Sequence, residues 1–212
     1  MVLNKKVAEQ TINFLTQINA IKLNTKKPFT WASGIKSPIY CDNRLILSYP
    51  EIREFIASKM SDIIYEQYGK EISIAGVATG AIAIGVMVAN KLDLPFAYVR
   101  PEPKGHGLKN QIEGTIQDGA NVVVIEDLIS TGKSSLNAIN ALKSQNLNVL
   151  GMLSIFSYNF ELANQKFIDE NIPVNFLSDY NSLIDLIKSE NSYDSNEIIR
   201  LEEWKKDPKS WK

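Results

Sequence analysis

The sequence has 212 residues, enough to bury a substantial core in one domain with an appendage. Its 23 basic and 24 acidic side chains give a net charge of -1, which argues against nucleic acid or an anionic membrane surface as the main partner. The longest apolar run, residues 81–89, is too short to span a bilayer, and the single cysteine, Cys41, excludes an internal disulfide. These features predict a cytoplasmic protein with one domain, residues 1–212.

The first 50 residues are expected to lie outside the main sheet. Apolar residues at helical spacing over 3–22 predict an amphipathic helix. Over 28–50, aromatic residues alternate with turn formers, which is typical of a hairpin of short strands. We expect residues 1–50, with the C-terminal segment, to form a hood over the sheet. The hairpin either holds a flat ring bearing carbonyls or is purely structural, and the residues favour neither.

From residue 51 onwards, helical and strand patterns alternate. Helical patterns cover 51–68, 82–92, the stretch from 136, 159–170, 180–190 and 196–204. Apolar strand patterns cover 72–78, 95–99, 122–125, 149–156 and 173–177. This alternation predicts an α/β fold with a doubly wound, mostly parallel sheet flanked by helices, its core at about residues 51–178.

Two loops before the central strand have compositions that suit anion binding. Thr79-Gly80-Ala81 is a small-residue junction, which either cradles an anion through backbone amides or is a simple tight connection. Residues 100–110 contain two prolines, two glycines, three cations and the only histidine, so regular structure is excluded. A solvated loop is the alternative, but the length and charge favour a mobile lid that closes over a polyphosphate.

The central stretch is a buried strand, 122–125, followed by the acidic pair Glu126 and Asp127 and a small hydroxyl-rich loop, 130–135. A loop that opens a helix presents unpaired N–H groups and the positive end of the helix dipole, which suits a phosphate. Hydroxyls of Ser130, Thr131, Ser134 and Ser135 add donors. Because the two carboxylates would repel a phosphate, they should face sugar hydroxyls or a metal.

A nucleotide triphosphatase is disfavoured. Gly132-Lys133-Ser134 matches the end of a Walker A loop, but that pattern requires a glycine five residues before Gly132, where this chain has Asp127. An ordinary strand-to-helix connection remains the structural alternative to a phosphate site.

Over nearly its whole length the sequence resembles the orotate phosphoribosyltransferases, members of the type I phosphoribosyltransferases. The motifs that carry the resemblance are residues 29–40, 98–100, 104–107, 111–114 and 124–132. The resemblance implies the type I fold and a reversible, Mg²⁺-dependent reaction of pyrimidine (UMP) biosynthesis. In it, orotate and 5-phosphoribosyl 1-diphosphate (PRPP) give orotidine 5′-phosphate and diphosphate.

The resemblance also implies roles for individual residues. Lys104, His106 and Asp127 are the implied catalytic residues, and Ser130 matches an orotate-binding position. The implied PRPP-binding residues are Arg100, Lys104, His106, Glu126, Asp127, Leu128, Ile129, Ser130, Thr131, Gly132, Lys133 and Ser134. Mg²⁺ is implied to be held by the diphosphate and ribose hydroxyls, with no direct protein ligand. A homodimer is implied, in which each lid reaches the neighbouring subunit's site.

The chain departs from many relatives at three positions. They carry a lysine where this chain has Ala32, a Tyr-Lys pair where it has Thr79-Gly80, and an arginine near Tyr158. The carboxylate of orotate must then be met by hood amides and Ser130, or by Lys36 or Arg44. Two alternatives therefore stay open: a phosphoribosyltransferase for another base, such as xanthine or uracil, and a non-catalytic regulator that senses the same ligand.

Overall fold

The computed structural model describes residues 1–31, 34–103, 111–190 and 193–211. The helices are α1 (Lys5–Gln17), α2 (Pro50–Tyr68), α3 (Ile82–Leu92), α4 (Lys133–Ser144), α5 (Glu161–Asp169), α6 (Tyr180–Glu190) and α7 (Ser195–Lys206). The strands are β1 (Ile21–Leu23), β2 (Phe29–Thr30), β3 (Lys36–Ser37), β4 (Ile39–Cys41), β5 (Ser73–Val77), β6 (Phe96–Val99), β7 (Ile112–Glu113), β8 (Asn121–Ile129), β9 (Asn148–Ser157) and β10 (Val174–Asp179). None of these helices is long and apolar enough to cross a membrane.

Six strands form the central sheet, in the order β10-β9-β8-β5-β6-β7. All neighbouring pairs are parallel except β6 and β7 at one edge. Strand β8 therefore lies in the interior of the sheet, between β9 and β5. The predicted α/β fold with a doubly wound, mostly parallel sheet is confirmed.

Both faces of β8 are buried, as its uninterrupted apolar run predicts. Val123 and Ile125 pack in the cluster that contains α2 and α3. Val122 and Val124 pack in the cluster that contains α4. Because successive side chains of a strand point to opposite faces, each residue of β8 is committed to one of these two layers.

Strands β1 to β4 lie outside the central sheet. β1 pairs antiparallel with β4, and β2 pairs antiparallel with β3, so the expected hairpin of short strands is present. The C-terminal helix α7 joins them through Trp204, which is fully buried and whose indole N–H donates to the Lys36 carbonyl at 2.9 Å. Trp204 also packs edge-on against Trp31 and Tyr158.

The first helix is shorter than expected. The apolar spacing predicts a helix over residues 3–22, but α1 ends at Gln17. Asn19 adopts a left-handed backbone with φ of 57°, and the Ala20 N–H returns to the Leu15 carbonyl at 2.8 Å, which closes the helix. Ile21 then pairs with Cys41 in β1. The apolar residues keep a helical spacing beyond Gln17, although the chain there leaves the helix and forms β1.

The central strand is longer than expected, because the apolar pattern predicts its end at Ile125. β8 continues to Ile129, with Glu126, Leu128 and Ile129 all in register with β9. The helix α4 begins at Lys133, so the connecting loop is only residues 130–132. A charged residue ends an apolar pattern in the sequence, but ladder hydrogen bonding to β9 does not require an apolar side chain.

Candidate active site

The acidic pair lies at the carboxyl end of β8, and its two side chains leave the strand on opposite faces. Ser135 of α4 donates to Glu126 Oε2 at 2.8 Å. Asp127 instead lies against Gly80, where a Cβ atom would come within 2.2 Å of Asp127 Oδ2. Glu126 continues the α4 face of Val124, as strand alternation predicts. The alternation does not continue to the end of the strand, because Leu128 packs with the α2 and α3 cluster and Ile129 with the α4 cluster.

Glu126 is the more deeply buried member, with 3% of its surface exposed. Its Oε1 also accepts the Asp127 backbone N–H at 3.3 Å. Burial raises the pKa of Glu126 well above its usual range, and the neighbouring Asp127 charge raises it further, while the bond from Ser135 opposes the change. The sequence indicated that the Ser135 hydroxyl donates to a bound anion. Ser135 is instead fully buried, and its hydroxyl donates to Glu126.

Asp127 is half-buried, and burial also raises its pKa. A hydrogen bond with the Glu126 carboxyl works in the other direction and lowers the pKa of Asp127. The same neighbour relation raises the pKa of Glu126, so the two carboxyl groups shift each other's pKa in opposite directions. The Asp127 main chain is fixed by Asn43, whose Nδ2 donates to its carbonyl at 2.6 Å.

The loop after β8 is an open helix N-terminus. Gly132 has a left-handed backbone (φ 74°) as N-cap of α4, and no side chain caps the helix. Thr131, Lys133 and Ser134 are exposed, and Ser130 is partly exposed. Uncapped N–H groups at the positive end of a helix dipole form a site suited to a phosphate.

Leu128 and Ile129 precede this loop inside the strand. The Leu128 side chain packs against the core cluster that contains α2 and α3, and Ile129 packs in the cluster that contains α4. The Ile129 carbonyl accepts the Tyr158 N–H at 2.9 Å. Their side chains therefore belong to the core, and only their main chains border the loop.

The base of the expected lid is anchored at the edge of the sheet. Arg100 follows β6, and its Nη1 donates to Glu113 of β7 at 3.4 Å. Gln111 returns a side-chain bond to the Arg100 carbonyl at 2.9 Å. Asn137 of α4 donates to the Pro101 carbonyl at 2.8 Å, which ties the lid base to the helix that opens at the loop 130–132. Lys104 and His106 lie outside the described residues.

Comparison with known proteins gives the same family as the residues. The family described as Phosphoribosyl transferase domain matches residues 46–175. An orotate phosphoribosyltransferase of Bacteroides fragilis is 48% identical over 197 residues, covering 93% of each chain.

The chain belongs to the orotate phosphoribosyltransferase family.

Other members of this family extend the match. An orotate phosphoribosyltransferase of Listeria innocua is 45% identical over 211 residues, covering 100% of this chain and 99% of that protein. Among solved structures, Leishmania donovani UMP synthase gives a TM-score of 0.76 at 25% identity over 94% of this chain and 42% of that one. The orotate phosphoribosyltransferase of Aeropyrum pernix gives 0.69 at 27% identity over 86% and 99%. These likenesses confirm the type I phosphoribosyltransferase fold.

Two residues at the site of this family member have no clear signal in the sequence. Asn43 is 1% exposed and joins the hood to the Asp127 main chain, although it is separated from that residue by 84 positions. Gly80 stands out in the sequence as part of a small-residue loop and as a departure from relatives, but neither feature shows that its missing side chain makes room for the Asp127 carboxylate. Both contacts are between distant segments, which local pattern cannot reveal.

Proposed function

We propose that this chain transfers the 5-phosphoribosyl group from 5-phosphoribosyl 1-diphosphate to orotate, giving orotidine 5′-phosphate and diphosphate in UMP biosynthesis. The observation that supports this most is the placement of two carboxyl groups, Glu126 and Asp127, immediately before the uncapped N-terminus of α4. Such a site accepts hydrogen bonds from a sugar and donates them to its phosphate. Membership of the family supplies the choice of orotate as the base.

In this proposal the acidic pair orients the ribose. Asp127 accepts from one ribose hydroxyl through its half-buried carboxylate, and Glu126 exchanges its contact with Ser135 or Asp127 for a second hydroxyl. Ser130, Thr131, Gly132, Lys133 and Ser134 surround the 5′-phosphate, and their main-chain N–H groups donate to it. The sugar is then held by its ring hydroxyls and by its 5′-phosphate. Its anomeric carbon is therefore fixed between the diphosphate and the base. Catalysis is mainly positional and electrostatic, because positive charge develops on the ribose as diphosphate leaves.

The lid contributes the cations. Arg100 stands at the base of the lid, and Lys104 and His106 follow it in the sequence. We assign them the diphosphate, where Lys104 and His106 stabilise the negative charge that accumulates on the leaving group. Lid closure would also exclude water, which competes with the base for the anomeric carbon.

The site fits a Mg²⁺ ion carried by the substrate. Mg²⁺ prefers oxygen ligands, which the diphosphate and ribose hydroxyls of the substrate would supply, and the half-buried Asp127 carboxylate would add negative charge nearby. When bound, Mg²⁺ would supply positive charge that offsets the negative charge on the leaving diphosphate. This chain would contribute by holding the ribose hydroxyls through Glu126 and Asp127.

We also assign the protein to the cytoplasm and propose that it works as a homodimer, in which the lid of one subunit closes on the site of its partner. Support comes from the lid base, since Arg100 and Pro101 are fixed at the β6–β7 edge, two strands from β8.

A panel of bases tests the function. Diphosphate release is measured with 5-phosphoribosyl 1-diphosphate and, in turn, orotate, uracil and xanthine. Release that is much faster with orotate than with the other bases supports the proposal, whereas release only with a purine or with uracil assigns another base. Binding of 5-phosphoribosyl 1-diphosphate without release with any base would identify a sensor instead of an enzyme.

A further inference from the structure

Orotate is a flat ring that carries a carboxylate, so its site needs a cation or several donors for that group. If orotate is the base, as in the proposed function on which this inference rests, residues beside the sugar site must recognise that carboxylate. Among the described residues, the hood carries five cations in or near its short strands: Lys22, Lys26, Lys27, Lys36 and Arg44. Lys36 and Arg44 are the two that follow β2. They differ in what they contact and in which part of the hood holds them.

Asn43 fixes the segment that follows β4 against the acidic strand. Its Nδ2 donates to the Asp127 carbonyl at 2.6 Å, and its Oδ1 accepts from the buried Cys41 thiol at 3.2 Å. Both polar ends of a side chain that is 1% exposed are therefore used to join β4 to β8. The neighbours of Asn43 are held where the hood meets the proposed sugar site.

Arg44 is one of these neighbours, and Asp42 orients it. Arg44 Nε donates to Asp42 Oδ1 at 2.6 Å, and Nη2 donates to Asp42 Oδ2 at 2.8 Å. This pair uses the side edge of the guanidinium. The end edge, formed by Nη1 and Nη2, has the parallel N–H geometry that a second carboxylate accepts. The Arg44 side chain is 60% exposed, so a ligand can reach it.

The charges that act on Arg44 include a carboxyl group of the proposed sugar site. The pKa of Arg44 is raised above the usual range, first by the hydrogen bonds to Asp42 and also by the charges of Tyr40 and Asp127. Arg44 directly follows Asn43, whose side chain is bonded to the Asp127 main chain, and Tyr40 of β4 is 41% exposed. An exposed guanidinium offers a donor pair for a carboxylate, and an exposed ring offers a face for a flat base.

Lys36, the other candidate cation, has different contacts from those of Arg44. Its Nζ donates to Thr30 Oγ1 at 2.6 Å across the β2–β3 hairpin, and its carbonyl accepts from Trp204. The hairpin at Lys36 is thus fastened to α7, whereas Asn43, the neighbour of Arg44, is fastened to β8.

We propose that Arg44 determines specificity for orotate by binding its carboxylate, with Asp42 and Asn43 as positioning residues that hold the guanidinium beside the sugar site.

The test compares variants in the full-length protein with 5-phosphoribosyl 1-diphosphate and Mg²⁺. KM and kcat are measured for orotate and for uracil, which lacks the carboxylate, with Arg44→Met, Arg44→Lys, Lys36→Met and Lys26→Met. Lys26 is an exposed hood cation near Glu197 and serves as the matched control. Circular dichroism melting confirms that each variant folds.

For Arg44→Met we expect KM for orotate to rise by about tenfold or more, the loss expected for a charge-assisted bidentate contact. KM for 5-phosphoribosyl 1-diphosphate should stay within about twofold, and activity with uracil should be unaffected, so selectivity falls. Arg44→Lys should be intermediate, because lysine keeps the charge but lacks the planar fork. Lys26→Met should behave as the unsubstituted protein.

An unchanged KM for orotate in Arg44→Met, or a loss of selectivity in Lys36→Met but not in Arg44→Met, would overturn the assignment while leaving the proposed function intact. The unsubstituted protein in the same assay separates the two claims. If it does not release diphosphate with orotate, the proposed function fails and the role of Arg44 fails with it.

Discussion

Gly80 lies directly against the carboxyl group of Asp127: a Cβ atom at Gly80 would come within 2.2 Å of Oδ2 and 2.3 Å of Cγ. These atoms are the free end of a side chain, which can rotate away at little cost in folding free energy. Gly80→Ala should therefore displace the carboxylate without unfolding the protein. We expect the dissociation constant for 5-phosphoribosyl 1-diphosphate, measured by calorimetry, to rise by about tenfold, equivalent to about 1.4 kcal/mol.

A double-mutant cycle provides the control for Gly80→Ala. In an Asp127→Ala background the carboxylate is gone, so adding Gly80→Ala should change neither the affinity nor the melting temperature further. If Gly80→Ala weakens binding equally in both backgrounds, its effect does not act through Asp127.

Glu126→Gln should stabilise the ligand-free protein at neutral pH. A carboxyl whose folded pKa is raised contributes stability below its unfolded pKa of about 4.3, and that contribution is lost as pH rises through the folded value. Burial raises the pKa of Glu126, so at neutral pH ionisation works against folding. We expect Glu126→Gln to raise the melting temperature near pH 7.5 by about 2–4 °C, the change that about 1 kcal/mol produces in a domain of this size.

The gain in melting temperature from Glu126→Gln should shrink as pH falls towards 4.5, because the Glu126 carboxyl in the folded protein is then neutral, as the glutamine is. Glu203→Gln, at an exposed position on α7, is the matched control and should show no such trend. A gain that is equal at all pH values would exclude the titration of Glu126 as its cause.

Asn43→Asp should destabilise the protein much more than Asn24→Asp. The Asn43 amide nitrogen donates to the Asp127 carbonyl at 2.6 Å, and a carboxylate cannot donate there. Asn24 instead uses its oxygen to accept from the Lys26 and Lys27 N–H groups, a role that Asp retains. Leaving a buried carbonyl without its donor costs about 1–3 kcal/mol, which denaturant titration can resolve. Equal losses in the two variants would contradict the role given to Asn43.

Lys104→Ala should lower kcat by about a hundredfold or more, the scale measured when one donor to a developing charge is removed. The reason is that the lid cation is assigned to the leaving diphosphate. The melting temperature should not change, because a residue that closes over substrate contributes little to the packed core. Turnover that survives the substitution would remove Lys104 from the mechanism.

The sequence predicted the parts of this protein that depend on local pattern. The β8 run of Val122 to Ile125 indicated a strand buried on both faces, and Glu126 and Asp127 marked the end of the sheet where ligands bind. The same pattern ended the strand too early, because ladder hydrogen bonds to β9 continue past the first charged residue to Ile129.

The different contacts of the two carboxyl groups were not predicted, although the alternation of side chains along a strand indicates the contact of Glu126. Once Glu126 is known to lie within the strand, it must share a face with Val124 and meet Ser135. The contacts of Asn43 and Gly80 were beyond reach, because each joins segments that only the folded chain brings together.

Asp127 is the proposed acceptor for the sugar, and the other assignments at this site depend on it. Titration calorimetry with 5-phosphoribosyl 1-diphosphate and Mg²⁺ should compare the unsubstituted protein, Asp127→Asn and the control Asp62→Asn, an exposed carboxylate that pairs with Lys59. We predict that Asp127→Asn weakens binding by about tenfold or more, since a charged acceptor is lost, while Asp62→Asn binds normally. Equal affinity for all three proteins would contradict the assignment of this strand end as the sugar site.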